Sequence, residues 1–176
     1  MKIKRKFCRV PKVLNISEKS KHTDKETNVI ENEEPKFDEY FKINHNLAPP
    51  YNIIMDTNFI LHSVRKKMDI ETELMRVLFS NVIIYVPECV FAEIEKMGLK
   101  HRVALMAARK LKHQVLICDH KGTYADDCII NRITPSRCYI VATCDADLKR
   151  RIRRIPGVPI LYINARKYAI ESLPNV

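Results

Sequence analysis

The stretch Tyr51–Ile60, Y-N-I-I-M-D-T-N-F-I, decides how the rest of the chain is read. Ile53, Ile54 and Met55 form a short apolar run of the kind a strand buried on both faces requires. The run stops on Asp56, and Thr57 and Asn58 follow with side-chain oxygens suited to the start of a helix. A carboxylate at the carboxyl end of a buried parallel strand stands where open α/β sheets hold their ligands. Asp56 has a plainer reading as a helix-starting residue, and the other acids of the chain decide between the two.

Working outward, strands and helices alternate. An amphipathic helix carries Ile70, Leu74, Val77 and Leu78, and Val82–Val86 is a second buried strand. Pro87 suits the first turn of the next helix, whose core face is Val90, Phe91, Ile94 and Met97, with Gly98 as its stop. Leu99, Val103 and Met106 mark a further helix. Val115–Ile117, Tyr139–Thr143 and Pro159–Ile163 complete five strands, with Gly122 in the loop after the third. Helices at Tyr124–Ile133 and Asp145–Arg154 separate the later strands, and the residues from Ala165 onward are left unassigned. This order predicts an α/β domain of three layers, with a central, mostly parallel sheet flanked by helices. The domain is expected over residues 49–176, closed off at Pro49-Pro50 from a charged, extended tail over residues 1–48. The tail begins with Lys2, Lys4, Arg5, Lys6, Arg9 and Lys12 and buries too little apolar surface to fold alone.

The chain has 176 residues and a net charge of +10, which favours a polyanionic partner through counterion release. No apolar run approaches the ~20 residues of a membrane span, and no apolar segment follows the basic start, so a soluble protein outside the secretory route is expected. The six cysteines carry no sign of a disulfide framework. Three glycines, none in a phosphate-binding loop, argue against a nucleotide-binding regulator.

Acids recur at the strand-to-helix crossings: Asp56, then Glu93, then Asp126 and Asp127, then Asp145 and Asp147. In a parallel sheet these crossings share one edge, so the carboxylates can converge there. Helix geometry separates Asp126 from Asp127: at ~100° per residue, Asp126 points within ~15° of the mean direction of Ile129, Ile130 and Ile133. Asp127 lies a quarter turn or more away. Clustered carboxylates need a cation to remain ionised, and an all-oxygen set suits magnesium or manganese. Such a cation can activate water for in-line attack on a phosphodiester. Helix-dipole complementarity accounts for Asp145 and Asp147 equally well, but not for Glu93 inside its helix.

In Leu148–Arg154, Leu148 and Ile152 form a core face, leaving Lys149, Arg150, Arg151, Arg153 and Arg154 outward. They either guide a phosphate backbone or form a solvated face.

With D-T-N, the helical acid, A-D-D and T-x-D in place, the sequence resembles a PIN-domain nuclease. The strings M-D-T-N-F-I, V-x-A-E-I-E-K-x-G, K-G-T-Y-A-D-D-C, C-Y-I-V-A-T, D-L-K-R-R-I-R and I-P-G-V-P-I resemble the PIN endonuclease of the eukaryotic small-subunit processome, over Leu47 to Pro174. That resemblance implies a nucleolar, metal-dependent endoribonuclease that cleaves precursor ribosomal RNA during small-subunit maturation. It also implies processome proteins and a small nucleolar ribonucleoprotein as partners. The non-cleaving alternative is a PIN-fold module that binds RNA and protein within the assembly. By position, Asp56, Glu93, Asp126 and Asp145 are the implied catalytic and metal-binding acids. A shortened spacing around Lys112 and His113 implies a trimmed loop beside the site. The resemblance also suggests a structural zinc on Cys89, Cys118, His120 and Cys138, with ordinary buried cysteines as the alternative. Cys138 opens a strand, at the edge opposite Cys118, so this set requires a bent loop.

Overall fold

The computed structural model describes residue 44 and residues 46–120 and 124–171. The elements, in order, are β1 (Tyr51–Met55), α1 (Thr57–Arg65), α2 (Ile70–Leu78), β2 (Val82–Pro87), α3 (Glu88–Lys96), α4 (Arg102–Lys110), β3 (His113–Leu116), α5 (Ala125–Ile133), β4 (Tyr139–Ala142), α6 (Ala146–Ile152), β5 (Ile160–Asn164) and β6 (Lys167–Glu171). They build one sheet in the order β3-β2-β1-β4-β5-β6. All pairings are parallel except β5 with β6.

The apolar run of β1 is explained by its central place. Ile53 is in register with Ile84 of β2 on one side and Ile140 of β4 on the other. Successive side chains alternate faces: Ile53 and Met55 pack in the core built with α1, α2 and α3, while Ile54 packs with Ile129, Ile133, Leu148 and Ile152 of α5 and α6. Both faces are covered, so no polar residue interrupts the run Ile53–Met55. Strand order reverses about β1, because β2 and β3 lie to one side and β4 to β6 to the other. The carboxyl ends of β1 and β4 therefore flank the switch point of the sheet, where open α/β folds bind ligands.

Several sequence expectations shift. Pro87 ends β2 and precedes α3 instead of sitting inside it, and the strand runs into the helix with no intervening loop. Gly98 does stop α3, in a left-handed conformation with φ 80°. The basic helix α6 ends at Ile152, leaving Arg153 and Arg154 in the following turn. The region after Ala165 contains β6, which folds back on β5 across the two residues Ala165 and Arg166. Ala165 adopts φ 52° there, a conformation that a turn usually assigns to Gly or Asn. Lys112 and His113 lie at the amino end of β3, opposite the strand-to-helix crossings, so a trim there does not border the acids. The expected tail before residue 44 and Gly122 lie outside the described residues.

Asn44 anchors the front of the chain. Its side-chain amide donates to the carbonyls of Arg137 at 2.5 Å and Gly157 at 2.7 Å, just ahead of β4 and β5.

Candidate active site

Asp56 follows β1, and its backbone N–H donates to the carbonyl of Ala142 in β4 at 3.0 Å. It precedes α1 but makes no side-chain capping bond to the helix, so the helix-starting role does not account for its carboxylate. The residue is 1% exposed, and Oδ2 accepts a hydrogen bond from the Thr143 hydroxyl at 2.8 Å. Burial pushes its pKa up to about 7. The Thr143 bond opposes that rise, and the negative charges of Asp126 and Glu93 add to it.

Glu93 reaches the same place from the middle of α3, where Oε2 accepts a hydrogen bond from the Thr57 hydroxyl at 2.8 Å. Asp126, in the first turn of α5, is half-buried, and its pKa is raised by burial and then by the charges of Asp145 and Glu93. Asp145 caps α6, with Oδ2 accepting from the Leu148 N–H at 2.7 Å, while its own N–H donates to Thr143 at 3.0 Å. The four acids from four crossings thus feel one another at the carboxyl edge of the sheet. Asp127 turns away to an exposed pair with Arg151 at 2.6 Å, and Asp147 faces Arg150 at 3.4 Å on the surface.

Sequence reasoning did not single out Thr57 and Thr143 as functional. Thr143 is fully buried, with one hydroxyl that serves Asp56 and Asp145 together. The readable signal was each threonine's position, one or two residues from an acid at a strand end.

The donor set fits a hard divalent cation. Four carboxylates share this edge, the pKa values of Asp56 and Asp126 are raised by burial and by neighbouring acids, and Asp56 is buried with a single side-chain donor; a cation stabilises such a set as anions. Oxygen-only donors match magnesium or manganese.

The basic groups after Asp145 are engaged. Arg150 and Arg151 hold Asp147 and Asp127, and Arg153 holds Glu171 through two bonds of 2.7 and 3.0 Å. Lys149 Nζ lies 4.4 Å from the centroid of the Tyr162 ring, and Arg154 is exposed in the turn beyond α6. Solvent screens exposed pairs of this kind, so a phosphate can displace them.

Three of the four residues expected around zinc come together, and the fourth is a different cysteine. Cys89, Cys118, His120 and Cys128 place their ligand atoms within 4.8 Å of one another, with the sulfurs of Cys118 and Cys128 3.6 Å apart. Cys138 belongs to the core on the other face of the sheet, beside Ile54 and Val141, because it precedes β4 and so sits at the amino edge. Cys128 lies in α5 just past the carboxyl edge, which Cys89 and Cys118 share. The Cys128 thiol is pushed toward the thiolate, foremost by a hydrogen bond from Cys89, whose own proton is held correspondingly tightly. His120 Nε2 is buried with no hydrogen-bond partner among the described residues. Three sulfurs, one thiolate-leaning, and an unsatisfied imidazole nitrogen make a donor set suited to zinc.

The Fcf1 family model matches residues 76–172. The chain is 52% identical over 136 residues to the rRNA-processing protein FCF1 homologue of Homo sapiens, an alignment spanning 77% of this chain and 69% of that protein. It is 41% identical to the rRNA-processing protein FCF1 of Saccharomyces cerevisiae, across 98% of this chain and 96% of that one. Its fold matches the solved structure of the PIN-domain endonuclease Utp24 with a TM-score of 0.68 and 47% identity, over 72% of this chain and 95% of that chain. On the family match and an alignment along nearly its whole length, the chain belongs to the Fcf1 family, and its fold is that of a PIN domain.

Proposed function

We propose that this protein is a metal-dependent endoribonuclease that cleaves precursor ribosomal RNA during maturation of the small ribosomal subunit. The observation that carries the reading is the meeting of Asp56, Glu93, Asp126 and Asp145 at one sheet edge, with Asp56 buried. Support for the substrate comes from the relatives, which are named rRNA-processing proteins. On the same ground its partner is precursor RNA, and the sequence resemblance adds proteins of the small-subunit processome, a small nucleolar ribonucleoprotein and the nucleolus as its place. Among the described residues, no helix is long and apolar enough to cross a membrane.

The four acids would hold magnesium or manganese, which supplies Lewis-acid stabilisation of the phosphodiester and activation of water. The residues of the chain do the remaining work. Thr143 fixes the rotamer of Asp56 and the backbone of Asp145, and Thr57 fixes Glu93, so the carboxylates are positioned before substrate arrives. Lys149, Arg150, Arg151, Arg153 and Arg154 exchange their surface partners for RNA phosphates. The set Cys89, Cys118, His120 and Cys128 would hold a structural zinc, with Cys128 on the same helix as Asp126.

The test uses the purified full chain, a fluorescent precursor-rRNA fragment, and magnesium or manganese. Wild type is expected to cleave, and Asp56→Asn to lose cleavage roughly a hundredfold or more while keeping RNA affinity. Full cleavage by Asp56→Asn overturns the site. Binding without cleavage by wild type, in either metal, overturns the nuclease in favour of a non-cleaving module.

A further inference from the structure

Helix α4 is apolar on two opposite faces: Leu105 packs partly buried against the core, and further large apolar side chains lie on the outer face. Ala104 and Ala108, 4% and 0% exposed, face α1 and α3. At ~100° per residue, Val103 and Met106 lie on the other side of the helix. They are 68% and 62% exposed, and Leu99, in the turn just ahead, is 86% exposed. A helix packed on one core turns its large apolar groups inward and its polar groups out. Here the spacing that predicts a core face, Leu99, Val103 and Met106, forms a stripe on the surface.

The charges around the stripe are of one sign. From Met97 to Lys112 there is no acidic residue. Arg109 is paired to Glu95, whereas Lys100, Arg102, Lys110 and Lys112 make no ion pair among the described residues. Arg102 opens α4, and the first turn holds no acid, against the preference of the helix dipole for negative charge at that end. The apolar stripe and Arg102 are thus placed against the local stability of the helix, whereas Arg109 and Lys110, in its last turn, suit the dipole.

We propose that this stripe is a docking surface for an acidic amphipathic helix of a protein partner. Leu99, Val103 and Met106 would take the partner's apolar face, and Lys100, Arg102 and Lys110 its flanking carboxylates. The chemistry separates this occupant from two others. A second copy packed face to face would set lysine and arginine against lysine and arginine. RNA would find cations and His101 but no Phe, Tyr or Trp from Met97 to Lys112 to stack a base, and the aliphatic groups would stay unused.

The experiment measures binding of short fluorescent peptide helices to the full chain by anisotropy. One carries leucine at i, i+3, i+4 and i+7 with glutamate on the flanks, and its control carries lysine in place of glutamate. The glutamate peptide is expected to bind more tightly, and Val103→Ser with Met106→Ser to weaken it roughly tenfold or more. Lys100→Glu, Arg102→Glu and Lys110→Glu together are expected to transfer the preference to the lysine peptide. Should the serine pair lower the melting temperature, the charge-reversed variant, which removes no apolar contact, decides alone. Equal binding of the two peptides, or no binding, overturns the proposal. So does a dimer of wild type that the serine pair dissolves, which assigns the stripe to a second copy. Loss of RNA affinity in the serine pair, with no peptide preference in wild type, overturns it in favour of RNA.

Discussion

The Thr143 hydroxyl donates to Asp56 Oδ2 at 2.8 Å, and neither side chain has appreciable contact with solvent. Thr143→Val keeps the shape and removes the donor. The carboxyl of Asp56 is then expected to titrate still higher than about 7. Manganese affinity should fall by roughly 1.5–3 kcal/mol, the scale of a hydrogen bond to a charged group. Carbon-detected NMR of Asp56 and calorimetric titration read the two effects. Thr143→Ser should restore both, since it returns the hydroxyl that Asp56 and Asp145 share.

Asp56 binds a proton more readily in the folded chain than in the unfolded one. Its contribution to stability is complete below its ordinary value of 3.8 and is lost as pH rises through about 7. Asp126 is shifted in the same direction. Metal-free protein is therefore expected to melt at a lower temperature at pH 7.5 than at pH 5, as far as these acids govern it. Asp56→Asn should flatten the dependence and stabilise the metal-free protein near neutrality by roughly 1–3 kcal/mol. Adding manganese should stabilise wild type and not the variant, a difference that thermal denaturation at the two pH values detects.

Cys128→Ser and Cys138→Ser separate the two thiol assignments. The first removes a sulfur 3.6 Å from Cys118, and the second alters the core on the far face of the sheet. Zinc affinity, followed by chelator competition and elemental analysis, should drop roughly tenfold or more in the first variant and stay unchanged in the second. Equal zinc content in both would leave the cluster as packed thiols.

Arg151 acts on two neighbours, as the partner of Asp127 and as the positive charge that lowers the pKa of Asp126. Arg151→Gln is expected to raise the Asp126 pKa. It should also reduce the slope of log RNA affinity against log salt by roughly 0.7–0.9, the loss of one phosphate contact. Asp127→Asn should have the opposite effect on affinity, because it releases Arg151 from its pair. Filter binding across a salt series measures both variants.

How far these features could be read in the sequence depended on how local their causes are. The run Ile53-Ile54-Met55 announces a strand covered on both faces, and the step from Asp126 to Asp127 is a rotation about one helix; both are matters of short-range geometry. β6 was hidden because its hairpin turns at Ala165 and Arg166 without a glycine or asparagine to mark it. The stripe of α4 has the right period for a core but faces outward, since periodicity fixes a face without saying which way it turns. Cys128 was passed over for Cys138, although the rule that gathered the acids, counting which crossings share an edge, also selects Cys128. In sequence Thr57 reads as a helix-starting residue and Thr143 only as part of a motif, because a hydroxyl's partner depends on which strands become neighbours.

Asn44 fixes the direction in which the domain is mounted. Its amide is clamped to carbonyls just ahead of β4 and β5, whereas Asp56 and Asp145 lie past the far ends of the parallel strands β1 and β4. A five-residue strand at ~3.3 Å per residue sets the two about 17 Å apart. The described chain thus enters the domain at the rear of the sheet, at the edge opposite the one that carries Asp56.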